Sequence, residues 1–504
     1  MTQQQQMEID SQSTHLYERL LIAGLCVTAA VRIFIFSAAF PFFNIISDEQ
    51  SHFDMVYKYS RGHLPQSPLE KFDPISCKII SDNGSPELSW DPLSTQAVWD
   101  TNRITSRCLT WDNNETWAWP SYYVLAGLWC RVGEVIGLSG KNLLYWIRFL
   151  NAPIGALFVW LSWLLSRKLF ESEFQKRVAI PLLAAFFPQD IFYCITNDVL
   201  SPLVFAAAFI MLLEIYLVDK SCIFYFFTGL IAAVTVLTKT TNIIIVVLAL
   251  VVFCIKLKRA FNQKQLKRYF VCLAAFTVPF VVPVAFWLGR NYVLFGDVIG
   301  SSAAVKMLTW TKKPFGEMFN HPILTPRGII SFLVTLLEHF WRGEFTWGGK
   351  LKPMSWHPMD LFYVISSLLF LFACLLDVFI YKPKMSKGER STLVWSLFVF
   401  ITSVLLLAAL SMRFDFGRCN NPSPAFPYFV SGRLIAGTIL PFLLIYVYGL
   451  NRILTNLGLA SYLLVAVAVI VIAVTASEIF ITLPAFASPN NWFHIGIPRP
   501  FYYL

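Results

Sequence analysis

Apolar runs of about 18 or more residues recur along the whole chain, and they constrain its fold more than any other feature. Such a run crosses a bilayer as a helix, because lipid offers no partners for unpaired backbone groups. Hydrophobic residues make up 56% of the 504 residues and charged residues only 14%, against roughly 25% in soluble domains. The sequence therefore predicts an all-α polytopic membrane protein, with residues 1–504 in a single integral membrane domain.

The net charge of +10 does not indicate a nucleic-acid-binding protein, because the basic residues are confined to short loops between apolar runs. Basic residues are typical of cytoplasmic loops in membrane proteins. The loops predicted to be cytoplasmic contain Arg167, Lys168, Lys176 and Arg177, then Lys256, Lys258, Arg259, Lys264, Lys267 and Arg268, then Lys382, Lys384, Lys387 and Arg390.

The apolar segment 120–138 is the one run that we do not count as a span. It carries Arg131 and Glu134 in its middle, and each charge would cost roughly 2.5–3.5 kcal/mol at a bilayer centre. An amphipathic helix lying in the interface avoids this cost. About eleven spans remain, which places the N-terminus inside and the C-terminus outside. They are residues 20–43, 143–165, 178–195, 200–218, 223–237, 243–255, 269–288, 361–380, 393–410, 434–450 and 459–483.

This topology gives two long outer loops, residues 44–142 and 289–358, of which the first is expected to contain interfacial helices. Ionisable groups at membrane boundaries are candidate functional residues, because they are energetically costly there. The same outer face collects Asp48, Glu49, His52, Asp198, Lys239, Arg290, Trp341 and Arg433. Cys77 and Cys108 lie in the first loop, and the sequence leaves open whether they form a disulfide if that loop faces an oxidising compartment.

The segment SDEQSHFDMVYKYSRGHLP, which begins at Ser47, resembles the start of the first outer loop in the GT-C superfamily of membrane glycosyltransferases. Protein O-mannosyltransferases and lipid A aminoarabinose transferases share this layout. Further along the chain, RNYVLFGD, FWRGEFTWGG and SGRLIAGTILPF resemble segments of a bacterial branch known mainly as predicted membrane proteins. One departure is that TNDVL supplies a single acid where oligosaccharyltransferases have paired acids.

The resemblance implies a transferase that moves a sugar from a polyprenyl-phosphate donor to a hydroxyl acceptor, inverting if a single displacement holds. Attack by a hydroxyl needs a base within hydrogen-bond reach, and Asp48 is the candidate. Glu49 is a second catalytic candidate, which would orient the acceptor or, alternatively, pair with a basic residue. The leaving phosphate needs fixed cations, for which Lys239 and Arg433 are the candidates. His52 is assigned to substrate binding.

Of the remaining site assignments, those of Asp198 and Trp341 each have an alternative explanation. Asp198 is assigned as a ligand for a divalent cation, Mg²⁺ or Mn²⁺, although it also fits a helix cap. Arg290 is assigned to substrate binding. Trp341 would form a sugar platform, or else belong to an interfacial aromatic belt.

The resemblance also implies partners and a location. These are the lipid bilayer, a polyprenyl-phosphate-linked sugar, and a glycan, lipid or protein acceptor, with an active site facing outward from a bacterial plasma membrane. Two other functions stay open: a polysaccharide polymerase or ligase, and a lipid-linked sugar flippase or exporter. A flippase would place its ionisable groups near mid-span rather than at one face.

Overall fold

The computed structural model describes residues 3–43, 48–88, 101–170, 173–348, 353–383, 385–417 and 422–494. The regular structure in this part of the chain is helical, apart from a short antiparallel ribbon of β1 (Thr311–Lys312) and β2 (Phe414–Asp415) and two isolated bridges. The helices are α1 (Gln3–Ala39), α2 (Glu49–Ser60), α3 (Pro74–Asn83), α4 (Thr101–Thr110), α5 (Ser121–Val135), α6 (Gly140–Phe149), α7 (Asn151–Leu169), α8 (Phe174–Ala185), α9 (Ser201–Leu217), α10 (Cys222–Val236), α11 (Ile244–Asn262), α12 (Leu266–Phe295), α13 (Ser302–Met307), α14 (Pro326–Arg342), α15 (His357–Leu375), α16 (Lys387–Arg413), α17 (Ile439–Asn456) and α18 (Leu463–Ala487).

Nine helical segments in the described ranges are long and apolar enough to cross a membrane, which confirms the all-α polytopic fold. The expected count of about eleven is not reached by this criterion. Segments 178–195 and 223–237 form the shorter helices α8 and α10, of 12 and 15 residues. α8 ends at Ala185, three residues before Pro188, and proline disfavours helical geometry in the residue that precedes it.

The first outer loop, predicted at 44–142, contains α2 to α5 in its described residues, and α2 packs against α5. α5 covers most of segment 120–138, and within it Arg131 donates to Glu134 at 3.0 Å. The helix therefore forms as predicted, and its position in the interface stays a prediction. Cys77 and Cys108, on α3 and α4, are buried neighbours with free thiols, so the described chain has no disulfide between them.

The second long loop, predicted at 289–358, is largely helical where it is described. α12 extends beyond the predicted span to Phe295, and α13 and α14 follow. α14 packs on α15 and on a 3-10 segment, Gly432–Thr438, that immediately precedes α17. The loop is thereby connected to the beginning of a late span.

Three short 3-10 segments assemble at one end of the helical bundle. Asn197–Leu200 precedes α9, Thr240–Ile243 precedes α11, and Gly432–Thr438 precedes α17. The third segment packs against both of the others. Because each segment begins a span, residues far apart in sequence come together at the same end of the bundle.

Candidate functional site

Asp48 occupies the position just before α2 but does not cap that helix. Its backbone is left-handed, with φ 52° and ψ 35°, and its side chain makes no capping hydrogen bond. Its carbonyl oxygen instead accepts from the backbone N–H groups of Ser51, at 2.9 Å, and His52, at 3.1 Å. Aspartate tolerates this backbone conformation better than most residues. The carboxylate is 33% exposed and is not used to cap the helix.

Arg433 joins two of the predicted acids across the bundle end. One terminal guanidinium nitrogen lies 3.7 Å from Asp48 Oδ2, and the other lies 3.6 Å from Asp198 Oδ2. Its Nε also donates to Ser431 Oγ at 3.3 Å. Early, middle and late parts of the chain therefore supply one cluster, as the sequence predicted.

Lys239 completes this cluster through a direct ion pair with Asp198 Oδ1. The other oxygen of Asp198 accepts from Thr196 Oγ1 at 3.3 Å and faces Arg433. The carboxylate of Asp198 is 1% exposed, and the positive charges of Lys239 and Arg433 offset the free-energy cost of burying its negative charge. We refer to Asp48, Asp198, Lys239 and Arg433 as the acid–cation cluster.

His52 is buried at the side of the acid–cation cluster. Its Nδ1 lies 2.6 Å from the Tyr123 hydroxyl, and its Nε2 lies 3.4 Å from Thr196 Oγ1. Burial, together with the positive charges of Arg433 and Lys239, lowers its pKa well below the ordinary value of 6.5. His52 is therefore neutral at pH 7, and it links α5 to the segment that carries Asp198.

The environment of the cluster also shifts the pKa values of Asp48 and Lys239. Burial raises the pKa of Asp48, while the positive charge of Arg433 and a hydrogen bond from Asn114 oppose that rise. Burial lowers the pKa of Lys239 well below its ordinary value, and repulsion by Arg433 acts in the same direction. Asp48 therefore binds a proton more readily than an aspartate in water does, and Lys239 loses its proton more readily than a lysine in water does.

Glu115 is a further acid near the cluster that the sequence did not single out as chemical. Burial and the neighbouring carboxylate of Asp48 raise its pKa to about 8. Its backbone N–H donates to Asn113 Oδ1 at 2.8 Å, which fixes the turn that presents it. Glu115 is half-buried in a polar stretch between α4 and α5, so no local signal in the sequence indicated an acid of the site.

Next to Arg433 lies a second group of polar side chains, from the end of α14, the loop that follows it and the residue before the 3-10 segment Gly432–Thr438. Ser431 Oγ donates to Glu344 Oε2 at 2.6 Å, and His339 Nδ1 lies 2.9 Å from Glu344 Oε1. Burial opposes ionisation of Glu344, but His339, Arg433 and Ser431 outweigh it and lower its pKa to about 2. Burial raises the pKa of Asp190 to about 6, although its carboxylate accepts the Glu344 backbone N–H at 2.9 Å. The motif FWRGEFTWGG thus contributes Glu344 to the site.

Glu49 has a different environment from its neighbour Asp48. Arg148 of α6 donates Nε to Glu49 Oε1 and a terminal nitrogen to Oε2, both at 2.6 Å. Glu49 Oε1 also accepts the backbone N–H of Ile195 at 2.8 Å. Both members of the pair are fully buried, so Glu49 has the ion-pair environment that the sequence left open as its alternative.

Two predicted substrate residues lie outside the acid–cation cluster. Arg290 donates to the backbone carbonyl of Pro65 and stacks over Trp287 at 4.6 Å. Trp341 is 1% exposed, donates to Ser367 Oγ at 2.9 Å and stacks on Tyr363 at 5.0 Å. Its faces are therefore occupied by protein, which leaves no ring surface for a sugar in this conformation.

The residues around Asp198 do not fit a divalent cation. Both of its oxygens already face positive groups, and a bound metal ion would have to displace Lys239 and Arg433 from them. The described part of the chain also contains no group of three or more His, Cys, Asp or Glu side chains arranged to hold a metal. Asp198 is better described as the carboxylate that holds two cations in place.

The fold and the site define an integral membrane protein with the acid–cation cluster at one end of its helices. No family model and no curated protein matches the sequence. Among solved structures, the chain is similar to the Archaeoglobus fulgidus oligosaccharyltransferase in complex with Zn and sulfate, with TM-score 0.38 and 13% identity over 91% of this chain and 53% of that one. The apo form of that enzyme gives TM-score 0.36 and 15% identity over 92% and 56%.

A third structure is archaeal oligosaccharyltransferase AglB from Archaeoglobus fulgidus with an inhibitory peptide and a dolichol-phosphate, at TM-score 0.36 and 13% identity. It covers 92% of this chain and 56% of its own. The chain thus spans about half the length of the solved structures that it matches. These likenesses are distant.

Proposed function

We propose that the protein is a GT-C-type glycosyltransferase that moves a sugar from a polyprenyl-phosphate donor to a hydroxyl acceptor. The observation that carries the proposal is the acid–cation cluster, in which the partly exposed carboxylate of Asp48 lies 3.7 Å from Arg433 at the ends of several spans. A base and phosphate-binding cations side by side are the groups that this reaction needs.

Asp48 is the proposed general base. The acceptor hydroxyl oxygen forms a bond to the anomeric carbon while the bond from that carbon to the phosphate oxygen breaks, and Asp48 takes the hydroxyl proton. Attack opposite the leaving group inverts the anomeric configuration. The raised pKa of Asp48 makes it a stronger base than an aspartate in water, and it is ionised above that pKa.

Arg433 and Lys239 are the proposed ligands of the leaving phosphate. The planar guanidinium group of Arg433 matches two phosphate oxygens at once. Lys239 loses affinity for its proton through burial beside Arg433, and an incoming anion would stabilise its charged form. Asp198 holds both cations in position, and neutral His52 supports the segment that carries Asp198.

Glu49 acts in this proposal as a positioning residue rather than a reacting group. Its bidentate pair with Arg148 fixes the first residue of α2, which directly follows Asp48. The same proposal places the reaction on the outer face of a bacterial plasma membrane, because the loops at the other end of the helices carry the basic residues. The acceptor is a glycan, a lipid or a protein hydroxyl.

The test is a transfer assay in which the purified protein receives radiolabelled polyprenyl-phosphate sugars and a mixture of envelope acceptors. Asp48→Asn keeps the shape of the side chain but removes the base, and we expect transfer to fall by about 100-fold or more. Asp82→Asn is the matched control, because Asp82 is an exposed acid on α3.

Full transfer by Asp48→Asn would overturn the proposed mechanism. Movement of the lipid-linked sugar across proteoliposomes without transfer would assign the protein to the exporters. Processive formation of long products would assign it to the polymerases.

A further inference from the structure

A second polar site lies at the opposite end of the helices from the acid–cation cluster. α9 begins beside Asp198 and ends at Leu217, and α11 begins beside Lys239 and ends at Asn262. At 1.5 Å per residue, the 17 residues of α9 separate the two ends by about 25 Å. A cavity of about 250 Å³ opens at this far end, between the end of α9, the end of α11 and the beginning of α12.

The cavity is strongly basic. Among the described residues that line it, one is acidic, Asp219, and five are basic: Lys220, Lys256, Arg259, Arg268 and Lys387. Five positive charges around one small volume repel one another unless an anion lies between them.

Some of these cations already have protein partners. Lys256 pairs with Asp219 at 2.5 Å, and Lys220 pairs with Glu214 at 2.7 Å. Arg259 donates to the backbone carbonyl of Tyr216 at 2.8 Å, which fixes its guanidinium group at the cavity wall.

Two cations at the rim are not used in this way. Within the described ranges, Arg268 and Lys387 make no ion pair and no hydrogen bond, and both are exposed. Arg268 lies in the first turn of α12 and Lys387 is the first residue of α16, so the positive ends of two helices add to their charge. The site therefore combines a fixed wall with two cations that are available to a ligand.

The surroundings of the cavity indicate where the anion comes from. Phe261 is 68% exposed, Phe270 is 54% exposed and Ile223 is 60% exposed, and all three belong to helices that border the cavity. Exposed apolar side chains beside basic ones are typical of a surface that contacts acyl chains and headgroups together. A soluble phosphate compound would need no such apolar border.

We propose that this cavity binds the phosphate of an anionic phospholipid headgroup, at the membrane face opposite the acid–cation cluster. The phosphate lies among Arg259, Arg268 and Lys387, and the acyl chains follow the apolar border. This proposal is independent of the glycosyltransferase assignment, since it uses none of the same residues.

The experiment measures binding of phosphatidylglycerol to the full chain in detergent, by lipid-dependent rise of the thermal unfolding midpoint and by native mass spectrometry. Phosphatidylcholine with the same acyl chains tests the need for net negative charge, and glycerol 3-phosphate tests a soluble source of the same phosphate. We expect binding of phosphatidylglycerol alone, and about a 30-fold loss of affinity in the double variant Arg268→Gln/Lys387→Gln.

The matched control is Lys258→Gln/Lys267→Gln, which removes two exposed charges from the same region but outside the cavity. We expect it to bind phosphatidylglycerol as the wild type does. Should the first double variant unfold early without lipid, Arg268→Gln alone is expected to lose about 5-fold.

Three results would overturn the proposal. The affinity for phosphatidylglycerol would be unchanged in the cavity variants, or it would fall equally in the control. Alternatively, glycerol 3-phosphate would bind as tightly as the lipid, which would assign the cavity to a soluble phosphate compound.

Discussion

Loss of Arg148 should destabilise the protein more than loss of Glu49, and this difference tests whether Glu49 positions or reacts. Arg148 is fully buried, and besides Glu49 it donates to the backbone carbonyls of Ser37, Phe40 and Pro41. Breaking a buried pair by removing one partner costs about 3–5 kcal/mol, since the other charge stays buried without compensation. Arg148→Met should therefore lower the free energy of unfolding by about that amount.

A double variant separates the stability that the ion pair contributes from the cost of leaving one buried charge without its partner. Arg148→Met/Glu49→Gln leaves no buried charge uncompensated, so it should recover part of the stability that Arg148→Met loses. Thermal unfolding in detergent, followed by intrinsic fluorescence, gives the order of stability for the wild type, the single variants and the double variant. Transfer should stay below the wild-type rate in the double variant even where stability recovers, because the ion pair that holds α2 is absent.

The opposite pattern would refute this reasoning. If Glu49→Gln unfolds at the wild-type temperature yet transfers no sugar, Glu49 takes part in the chemistry directly. If the double variant is no more stable than Arg148→Met, the ion pair is not the source of the loss. As a control, Arg131→Met removes an exposed arginine of α5 and should change stability little.

Three further results follow from the site. Arg433→Lys should keep a charge but lose the bidentate fork, so transfer should fall by roughly 10-fold or more, and wild-type rates in this variant would contradict the phosphate role. A chelator such as EDTA should leave the initial rate of transfer unchanged, because Asp198 is occupied by cations of the protein; a rate that returns only with Mg²⁺ or Mn²⁺ would show otherwise. The folded-state pKa of Glu115 is raised from 4.5 to about 8, so its contribution to stability is present below pH 4.5 and is lost as the pH rises through about 8. Between these values the unfolding midpoint of the wild type should fall more steeply than that of Glu115→Gln, and parallel profiles would contradict this.

Local sequence information was sufficient for the class of fold and for the main members of the cluster. Apolar length predicted the helices that are long enough to cross a membrane in the described residues, but it also counted segments 178–195 and 223–237, which form shorter helices. The interfacial position of α5, which rests on the charges of Arg131 and Glu134, stays a prediction. The proximity of Asp48 and Arg433 could be predicted because both lie at the ends of apolar runs, where a charged residue stands out in the sequence.

Partnerships between distant residues were not accessible in the same way. Nothing near Glu49 in the sequence indicates Arg148, which is 99 residues away and sits inside an apolar helix. Trp341 looked like a surface aromatic because glycines surround its motif, yet its ring fills the core. Glu115 became an acid of the site through burial, which composition alone does not reveal.

The adjacency of Asp48 and Glu49 affects how variants of this protein are interpreted. The Glu49 carboxylate is paired with Arg148 of a neighbouring helix, whereas the Asp48 carboxylate is partly exposed beside Arg433. Glu49 therefore holds the chain that presents Asp48. Loss of the Glu49–Arg148 pair, even through a substitution at position 148, would displace Asp48 and abolish transfer, and it would look like a defect in the chemistry. A screen that records only loss of activity would therefore assign a catalytic role to a residue that stabilises the fold, unless folding is measured in the same samples.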